Sequence, residues 1–376
     1  GQGTGHCTMH YIRYDVLYTY VLARIQYWSY QAQMDEGRLL QWGDSILRAR
    51  RDSGSMDEKK YNALRKRLVK YDQLLHAGNA ILAERYQRIN YDTAYIMRPP
   101  GRWTIKLRGN LSGAWIRTTG RNGEDQYHTE VESDFRGTLS MAVAYRGLGA
   151  AVALNPMKLA GKSQDYELNV NSYSNRFGFD IVFLSSKTYH GKASMNDEVT
   201  PIEKGAIRQQ ALNVNLYYAF NSKRFSFPAA FSQSYLQRRS AGSFMVGASF
   251  DGQITDIDAN ETANQQPINL KLMEIGIGAG YGYNLVAGKR WLFHLSLLPT
   301  FDFYIHSRLK ENGERINLHY RFPSLITTGR GAAVYSWRNQ FAVASLIYNY
   351  SVVGDRDQLQ VRRSKWRVRF TYGFRF

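Results

Sequence analysis

From residue 103 to the end of the chain, apolar and polar residues alternate in a series of short segments. The last segment shows the pattern most clearly, because Trp366, Val368 and every second residue to Phe376 are apolar or aromatic, with mostly basic residues between them. A period of two places the two sets on opposite faces of one β-strand. The chain must therefore build a large sheet with one apolar and one polar face.

Two kinds of fold can use such a sheet. In a soluble β-sandwich the apolar faces pack on each other, whereas in a transmembrane β-barrel they meet lipid and the polar faces line the lumen. No run of about 18 apolar residues occurs, which excludes a transmembrane helix. The formal net charge of +18 could suggest nucleic acid, but much of the excess lies on strand faces that would point inward. We therefore expect no nucleic acid partner.

Tryptophan spacing favours the barrel. Trp103 and Trp115 lie twelve residues apart on one strand face, a rise of about 30 Å for a strand tilted by about 40°. This matches the separation of the two aromatic girdles at the interfaces of a membrane. The predicted membrane-interface anchors are Trp103, Trp115, Trp291 and Trp366.

Connection lengths predict the topology. Short turns at 146–147, 174–175, 287–288 and 336–339 alternate with longer polar connections at 119–127, 155–164, 190–206, 255–269, 306–318 and 353–360. Short turns on one side and long loops on the other are typical of outer-membrane barrels. Residues 221–239 contain Pro228 and break this alternation unless they form a periplasmic or inward excursion. With that assignment the prediction is about twelve antiparallel strands, with ten or fourteen as alternatives.

Residues 1–100 form a different region. Apolar residues at helical spacing over 14–30, 39–47 and 55–82 predict two or three helices packed as a hairpin, the last beginning with a capping box of Ser55 and Glu58. Pro99 and Pro100 end the helical pattern and force an extended linker. We expect a small helical domain over 1–100, in the periplasm, and the barrel over 101–376. The basic helix faces are either solvated or contact a partner or anionic lipid head groups.

Charged residues on the inward faces predict a closed lumen. Because the first and last strands of a barrel are neighbours, their basic residues should meet the carboxylates of the second strand and pair with them. This predicted lumen cluster comprises Lys106, Arg108, Glu130, Glu132, Asp134, Arg363, Lys365, Arg367 and Arg369. Asp165, Glu167 and Glu274 are also expected on inward faces. Inward glycines at 276, 278, 280 and 282 leave a trough. It accommodates the aromatic residues of the 221–239 excursion or large side chains from across the barrel, or the glycines merely relieve strand curvature.

Enzymatic motifs are weak. His294 and Ser296 share an inward face with Asp302, but side chains two residues apart on a strand are expected to diverge, and polar filling of the lumen is the simpler interpretation. Asp256, Asp258 and Asn260 have the spacing that begins a calcium loop, yet Glu261 replaces the turn glycine. No catalytic residue, metal ligand or cofactor site is predicted. The single cysteine, Cys7, cannot form an internal disulfide.

Four segments carry a resemblance to a known family: YDTAYIMRPPGRWTIKLRGN, YRGLGAAVAL, FSFPAAFSQSYLQRRSAGS and WRVRFTYGFRF. They resemble an outer-membrane barrel family of Bacteroidota known only as a domain of unknown function, over about 91–376. The helical residues 1–90 depart from it. The final ladder also resembles the C-terminal insertion signal of such barrels, and its members are Phe370, Tyr372, Phe374 and Phe376.

The resemblance implies a fold and a location but no activity. It implies a multi-pass barrel in the outer membrane of a Gram-negative bacterium, in contact with outer-membrane lipid and lipopolysaccharide and inserted by the barrel-insertion machinery through its last strand. We expect a non-enzymatic scaffold or accessory subunit that binds other outer-membrane or periplasmic proteins. The alternatives are a channel for small anionic solutes that uses the lumenal arginines, and an envelope lipid hydrolase built on Ser296 and His294.

Overall fold

The computed structural model describes residues 38–146, 148–154, 165–259, 266–316, 324–355 and 359–376, with the single residues 156, 161 and 357. Cys7 and the helix predicted over 14–30 lie outside the described residues. Two helices open the described chain, α1 (Arg38–Asp52) and α2 (Glu58–Gln87). No helix among the described residues is long and apolar enough to cross a membrane.

The two helices form the predicted hairpin. Asp44 of α1 pairs with Arg65 of α2 at 2.9 Å. The predicted capping box is wrong, because Asp57 caps α2 by accepting from the backbone N–H of Lys60 at 2.6 Å. The hydroxyl of Ser55 instead donates to the carbonyl of Arg50. An aspartate directly before the helix is as good a cap as serine and leaves Ser55 in the preceding turn.

Strands make up nearly all of the rest. They are β1 (Ile96–Met97), β2 (Trp103–Asn122), β3 (Asp125–Glu132), β4 (Arg136–Tyr145), β5 (Leu148–Leu154), β6 (Tyr166–Tyr173), β7 (Phe177–Ser186), β8 (His190–Met195), β9 (Glu198–Ile202), β10 (Ile207–Ala219), β11 (Leu236–Gln237), β12 (Ala241–Ile257), β13 (Ile268–Ala287), β14 (Trp291–Glu311), β15 (Glu314–Ile316), β16 (Ser324–Trp337), β17 (Gln340–Asp355) and β18 (Leu359–Arg375).

The main sheet closes into a barrel. Its neighbours run β6, β7, β10, β12, β13, β14, β16, β17, β18 and β2. The first half of β2 then pairs with β4 and its second half with β3. Since β3 pairs with β8, which continues β7 along the chain, the sheet returns to its start. The described residues contribute sixteen strands to this sheet. Four pairs of them (β3 with β4, β7 with β8, β9 with β10, β15 with β16) follow each other along one line of the barrel wall and count as one strand each, which gives the predicted twelve in the described part of the chain.

The barrel is apolar outside and polar inside. Leu295 and Phe370 on the outer face are 73% and 63% exposed, whereas inward Glu274, His294 and Arg330 are buried. A soluble sandwich would bury the leucine and phenylalanine rather than the charges. An outward apolar band around a polar interior is the arrangement of a transmembrane β-barrel, so the sandwich alternative is wrong.

Several predicted loops are strands instead. Residues 119–127 are largely covered by the ends of β2 and β3, and residues 190–206 are largely covered by β8 and β9. Both hairpins turn tightly, because Gly123 and Asn196 adopt positive φ angles of 66° and 48°, a conformation that glycine and asparagine tolerate. The Asn196 amide donates to Asp125 at 2.7 Å and ties the two hairpins together.

Residues 221–239, here called the plug, fold into the lumen. Ser226 caps a short helix, α3 (Phe227–Phe231), and β11 pairs antiparallel with β1. The buried rings of Phe225 and Phe227 pack in one cluster with Tyr217, Met245 and Leu298. Of the two predicted placements of this segment, periplasmic or inward, the inward one is therefore correct.

The glycine trough of β13 serves both predicted purposes. At Gly282 the Phe225 ring lies 3.0 Å from the place a Cβ would occupy, so the plug fills the space of the missing side chain. At Gly278 and Gly280 a Cβ would overlap the carbonyl oxygens of Pro299 and Leu297. These two glycines let β14 approach closely, which is the curvature role.

Candidate functional site

Polar side chains of the barrel hold the plug by its backbone. The Lys106 ammonium donates to the carbonyl of Ser232, and Arg375 Nη2 donates to that of Gln233 at 3.3 Å. From β13, Asn284 Nδ2 donates to the carbonyl of Ser226 at 2.9 Å. Short turns and helix ends leave such carbonyls without partners, so these side chains satisfy groups that would otherwise be buried unpaired.

Aromatic packing fills the space around the plug. The Phe227 ring lies 4.5 Å from Tyr217, 4.9 Å from His294 and 5.9 Å from Phe231, measured between ring centroids. Tyr173 stacks at 6.5 Å from the same ring. This end of the lumen is therefore a hydrophobic core inside a polar barrel.

A buried ion pair lies next to this aromatic cluster. Arg330 Nη2 lies 2.6 Å from Asp180 Oδ2, and Asp180 also accepts a hydrogen bond from the Tyr173 hydroxyl. The Arg330 guanidinium carbon lies 5.5 Å from the centre of the Tyr217 ring. Both charged side chains are almost fully excluded from solvent, so each is the partner that makes burial of the other tolerable.

A second arginine is clamped near the β2–β4 seam. Arg136 lies 3.2 Å from Asp165 and 3.1 Å from Glu167. The hydroxyls of Ser186 and Thr188 donate to Asp165 at 2.9 and 2.8 Å. Because every partner is fixed by a second bond, this cluster joins β4, β6 and β7 across the lumen.

A third arginine, from the last strand, reaches across to β12 and β13. Arg363 Nη1 donates to Asp251 Oδ1 at 2.9 Å and to Gln253 Oε1 at 2.8 Å, and its Nη2 pairs with Glu274. We call Arg363, Asp251, Gln253 and Glu274 the Arg363 cluster. Asp302 lies beside it, against Gly276.

The basic members of the predicted lumen cluster lie where they were expected. Lys106 and Arg367 are buried, and Arg108, Arg363, Lys365 and Arg369 are half-buried. Arg369 Nε donates to Asn110 at 2.6 Å. Lys365 Nζ and Arg367 Nη1 are buried without a hydrogen-bond partner in the described part of the chain. Positive charge therefore exceeds negative charge on this wall of the lumen.

The acidic members of that cluster were predicted wrongly. Glu130 pairs with Arg117 at 2.6 Å in an exposed contact, Glu132 is exposed, and Asp134 pairs with Lys204 at 2.7 Å. The cause is the bend between β3 and β4. Odd-numbered Val131 faces inward before it, whereas even-numbered Arg136 does so after it, and a shift of one residue exchanges the two faces of a strand.

The carboxylates that do pair in the lumen were only partly predicted. Asp165, Glu167 and Glu274 were expected on inward faces, whereas Asp180, Asp251 and Arg330 were missed. Alternation along β7 and β12 could have placed the two aspartates inside, since Asp180 lies between Phe179 and Ile181 and Asp251 follows Phe250.

The predicted anchors form two groups along the outer wall. Trp103 contacts Tyr145 at 4.6 Å and Trp291 contacts Tyr335 at 4.8 Å, both near the short turns. Trp115 lies 6.1 Å from Tyr350 and Trp366 lies 5.6 Å from Phe135, both farther along the strands. Anchoring at the interfaces stays a prediction.

The proposed insertion signal lies on the strand that closes the barrel. β18 pairs with β2 from Leu359 to Arg375, and the Phe376 carbonyl accepts from the N–H groups of Arg102 and Trp103. Phe370 and Tyr372 are exposed on the outer face, and Phe374 stacks on Phe376 at 5.8 Å. Recognition by the insertion machinery stays a prediction.

His294 and Ser296, which were considered as hydrolase residues, are buried where the barrel wall contacts the plug. Contrary to expectation, His294 and Ser296 do not diverge, because His294 Nε2 lies 2.9 Å from Ser296 Oγ. The other ring nitrogen contacts Asn284 Oδ1 at 2.7 Å rather than Asp302. The rings of Phe225, Phe227 and Phe231 surround the imidazole, so the pair functions here as a hydrogen-bonded part of the core.

The calcium-like spacing that begins at Asp256 forms no ion centre in the described residues. Nowhere in that part of the chain do three or more His, Cys, Asp or Glu side chains converge to hold an ion. Asp258 pairs with Arg208 at 2.8 Å. Asn260 and Glu261 of the calcium-like spacing lie outside the described residues.

Two cavities inside the lumen are small. One of about 60 Å³ is lined by Arg363, Lys365 and Asp251 among others, and another of about 10 Å³ lies beside Arg367 and Arg369. Volumes of this size hold water molecules rather than a solute.

Comparison with known proteins identifies a family. A family described as "Domain of unknown function (DUF4421)" matches residues 90–376. The chain belongs to the DUF4421 family. The resemblance seen in the sequence is thus confirmed over nearly the same residues, and the helices of the DUF4421 chain precede the match. Its origin in Bacteroidota stays a prediction. No curated protein matches the chain.

Among solved structures, the DUF4421 chain is similar to outer-membrane proteins at low identity. The outer membrane protease OmpT of Escherichia coli is 8% identical over 74% of this chain and 98% of its own, with a TM-score of 0.38. The outer membrane protein OprG of Pseudomonas aeruginosa is 10% identical over 73% and 98%, with 0.27. The toluene transporter TodX of P. putida is 9% identical over 74% and 91%, with 0.24.

Proposed function

We propose that the DUF4421 chain is an outer-membrane barrel with a closed lumen, and that it acts as a non-enzymatic scaffold or accessory subunit of a larger envelope assembly. The plug is the observation that carries this proposal. Its helix α3 and the rings of Phe225 and Phe227 occupy the lumen at the end where the short turns lie. Because its own chain fills the lumen, the barrel leaves no open passage for a solute. Its outer surfaces remain for contact with other proteins.

Charge pairing supports a closed lumen beyond the plug. Arg330, Arg136 and Arg363 each bridge the lumen to carboxylates on other strands. Moving a solute through would separate these pairs, and an uncompensated buried charge costs about 3–5 kcal/mol. A single anionic solute could not take the place of the carboxylate partners of all three arginines at once.

The helical region supplies the proposed contact surface. α2 is fastened to the barrel at the plug end, where the Tyr145 hydroxyl bonds to Asn79 at 3.1 Å and the Tyr86 hydroxyl donates to the Pro99 carbonyl at 3.1 Å. In the usual outer-membrane orientation the end with short turns faces the periplasm. We place α1 and α2 there.

An apolar stripe along α2 supports a protein partner. Tyr71, Leu74, Leu75 and Ile81 recur at helical spacing and are all more than half exposed. Exposed apolar patches of this kind on a folded domain mark sites of interaction. Other outer-membrane or periplasmic proteins are the proposed partners, in addition to the outer-membrane lipid and lipopolysaccharide around the barrel and the insertion machinery at β18.

The test is copurification after extraction in a mild detergent. We expect wild-type protein to leave the membrane with at least one partner, and Leu74→Lys to lose it because a charge enters the apolar stripe. Gln73→Lys is the matched control, since it adds the same charge to an exposed position on another side of α2. A wild-type chain that runs alone, or a Leu74→Lys variant that keeps every partner, would contradict the scaffold proposal.

An anion channel is the second candidate, favoured by the unpaired Lys365 and Arg367. Planar bilayers separate the two functions. A closed scaffold gives no steady current, whereas a channel conducts with anion selectivity. We expect no steady current from wild-type protein, and a steady anion current would replace the scaffold proposal with the channel.

A further inference from the structure

A cavity of about 360 Å³ lies between the helical region and the barrel. Its walls are the end of α2, the plug, and the short turns that connect β4 to β5 and β6 to β7. Five arginines line it, and they are Arg85, Arg88, Arg98, Arg146 and Arg176. The remaining lining in the described chain is mainly serine, asparagine and tyrosine, without a carboxylate.

The arginines of this cavity lack internal counter-charges. In the described chain, Arg85, Arg98, Arg146 and Arg176 make no ion pair with a carboxylate, and Arg88 makes only an exposed one with Glu84 at 3.3 Å. Like charges brought together in this way repel, and the repulsion is relieved when an anion binds among them. Arg136, Arg330 and Arg363 in the lumen, in contrast, each pair with Asp or Glu.

Two of these arginines are held in fixed positions. The guanidinium carbon of Arg98 lies 4.7 Å from the centre of the Tyr86 ring and 3.8 Å from that of Tyr235. Its Nη1 donates to the Ser234 carbonyl at 3.3 Å. Arg146 Nη1 donates to the Asn79 carbonyl at 3.2 Å. Arginines already ordered by stacking and hydrogen bonds lose little entropy when a ligand binds.

Unused donors also line the cavity. Arg98 Nε is buried without an acceptor in the described chain. Asn175 is 8% exposed, and while its Oδ1 accepts from Ser226 at 2.7 Å, its Nδ2 has no acceptor there either. Burial raises the pKa of the Tyr235 hydroxyl, so this group remains a neutral donor. Buried donors without acceptors are unusual in native proteins.

We propose that this cavity binds a phosphate-bearing ligand with at least two negative charges, a phosphomonoester in a soluble molecule or in a lipid head group. Several arginine forks around one space suit a tetrahedral dianion, which accepts hydrogen bonds from several directions at once. The volume is within the range of small-molecule sites. Occupation would tie α2, the plug and two turns of the barrel to one ligand.

Calorimetry on the full chain in a zwitterionic detergent tests the soluble source, with glycerol 3-phosphate as the probe. The lipid source is tested by placing the protein in phosphatidylcholine nanodiscs with or without phosphatidic acid and identifying retained lipid by native mass spectrometry. Binding of glycerol 3-phosphate assigns a soluble ligand. Retention of phosphatidic acid without such binding assigns a head group. The absence of both overturns the proposal.

Charge reversal at the cavity provides the site-specific control. Arg85→Glu and Arg176→Glu change exposed positions that make no ion pair in the described chain, and each should weaken binding by about tenfold or more. Arg67→Glu makes the same charge change at an exposed position of α2 outside the cavity and should leave affinity within about twofold. Thermal unfolding confirms that each variant folds. Equal effects of Arg67→Glu and both cavity variants would mean non-specific attraction and would overturn the assignment.

Discussion

Replacing Arg363 by methionine tests whether the charged side chains inside the lumen are paired with each other and excluded from water, or are solvated in a water-filled lumen. Methionine keeps much of the side-chain volume but removes the charge that the Arg363 cluster shares. Asp251 and Glu274 would then face each other unpaired, at positions that are 11% and 0% exposed. Breaking a buried pair by removing one partner costs about 3–5 kcal/mol, because the remaining charge stays buried. We expect a loss of that size in the free energy of unfolding.

Two further variants make the prediction quantitative. Glu274→Gln alone leaves Arg363 bonded to Asp251 and Gln253, so we expect a smaller loss of about 1–3 kcal/mol. In the Arg363→Met background the same Glu274→Gln change should be stabilising, since it removes one of the unpaired charges. Wild type, the two single variants and the double variant form a double-mutant cycle. The change of sign between the two backgrounds measures the interaction between Arg363 and Glu274.

Urea unfolding of the barrel in detergent or bilayers, followed by tryptophan fluorescence, measures these losses. Arg117→Met is the matched control, because Arg117 and Glu130 form an exposed pair at 2.6 Å. Exposed pairs contribute under about 1 kcal/mol. If Arg363→Met costs no more than Arg117→Met, water reaches the Arg363 cluster and the closed lumen is refuted.

Two other predictions, one for the outer wall and one for the plug, use the same unfolding assay. Leu297→Arg, midway between Trp291 and Phe303 on the outer face of β14, should cost about 2–4 kcal/mol in a bilayer. Leu74→Arg on α2, exposed to a similar degree, should stay within about 0.5 kcal/mol, and equal costs would contradict a lipid-facing wall. Phe227→Ala empties a fully buried site in the plug and should cost about 3–5 kcal/mol, whereas an unchanged midpoint would show that the plug unfolds independently of the barrel.

The strand faces could be predicted from the sequence because alternation is a local property. Within each segment the alternation alone identifies the residues that share one face of the strand. The rows containing Leu107, Leu295 and Phe370 lie on the outer face, as predicted. The twelve strands followed from the same patterns and from the turns. Residues 221–239 could be recognised as an excursion because, with Pro228 in their middle, they break the alternation of short turns and long loops. The sequence left open whether this excursion is periplasmic or inward.

The acidic side of the lumen could not be predicted in the same way. Alternation was continued through Ser133 and Asp134, whereas the strand bends there, after Glu132 and before Arg136. The bend exists because the strand has two different partners, β8 before it and β5 after it. Pairing between strands that are distant in sequence is a tertiary property, and no local pattern encodes it.

The ion pairs across the lumen could not be predicted from the sequence for a related reason. Arg330 and Asp180 are separated by 150 residues, and which inward residues meet depends on the tilt and stagger of the closed barrel. Inward charge could be predicted, but the pairs could not. The hydrogen bond between His294 and Ser296 was missed because strand twist and a crowded interior bring together side chains that an ideal strand would separate.

The plug is required by the barrel electrostatically as well as sterically. Lys106 and Arg375 belong to β2 and β18, the strands that close the barrel, and both donate to plug carbonyls at Ser232 and Gln233. Without the plug these two cations would be left without those acceptors next to a wall that already carries the unpaired Arg367. A buried charge without a partner is unfavourable, so the pairing of β2 with β18 would be destabilised. We therefore expect plug and barrel to unfold as one unit, and a mechanism in which the plug leaves the lumen during function would have to supply other acceptors for both side chains.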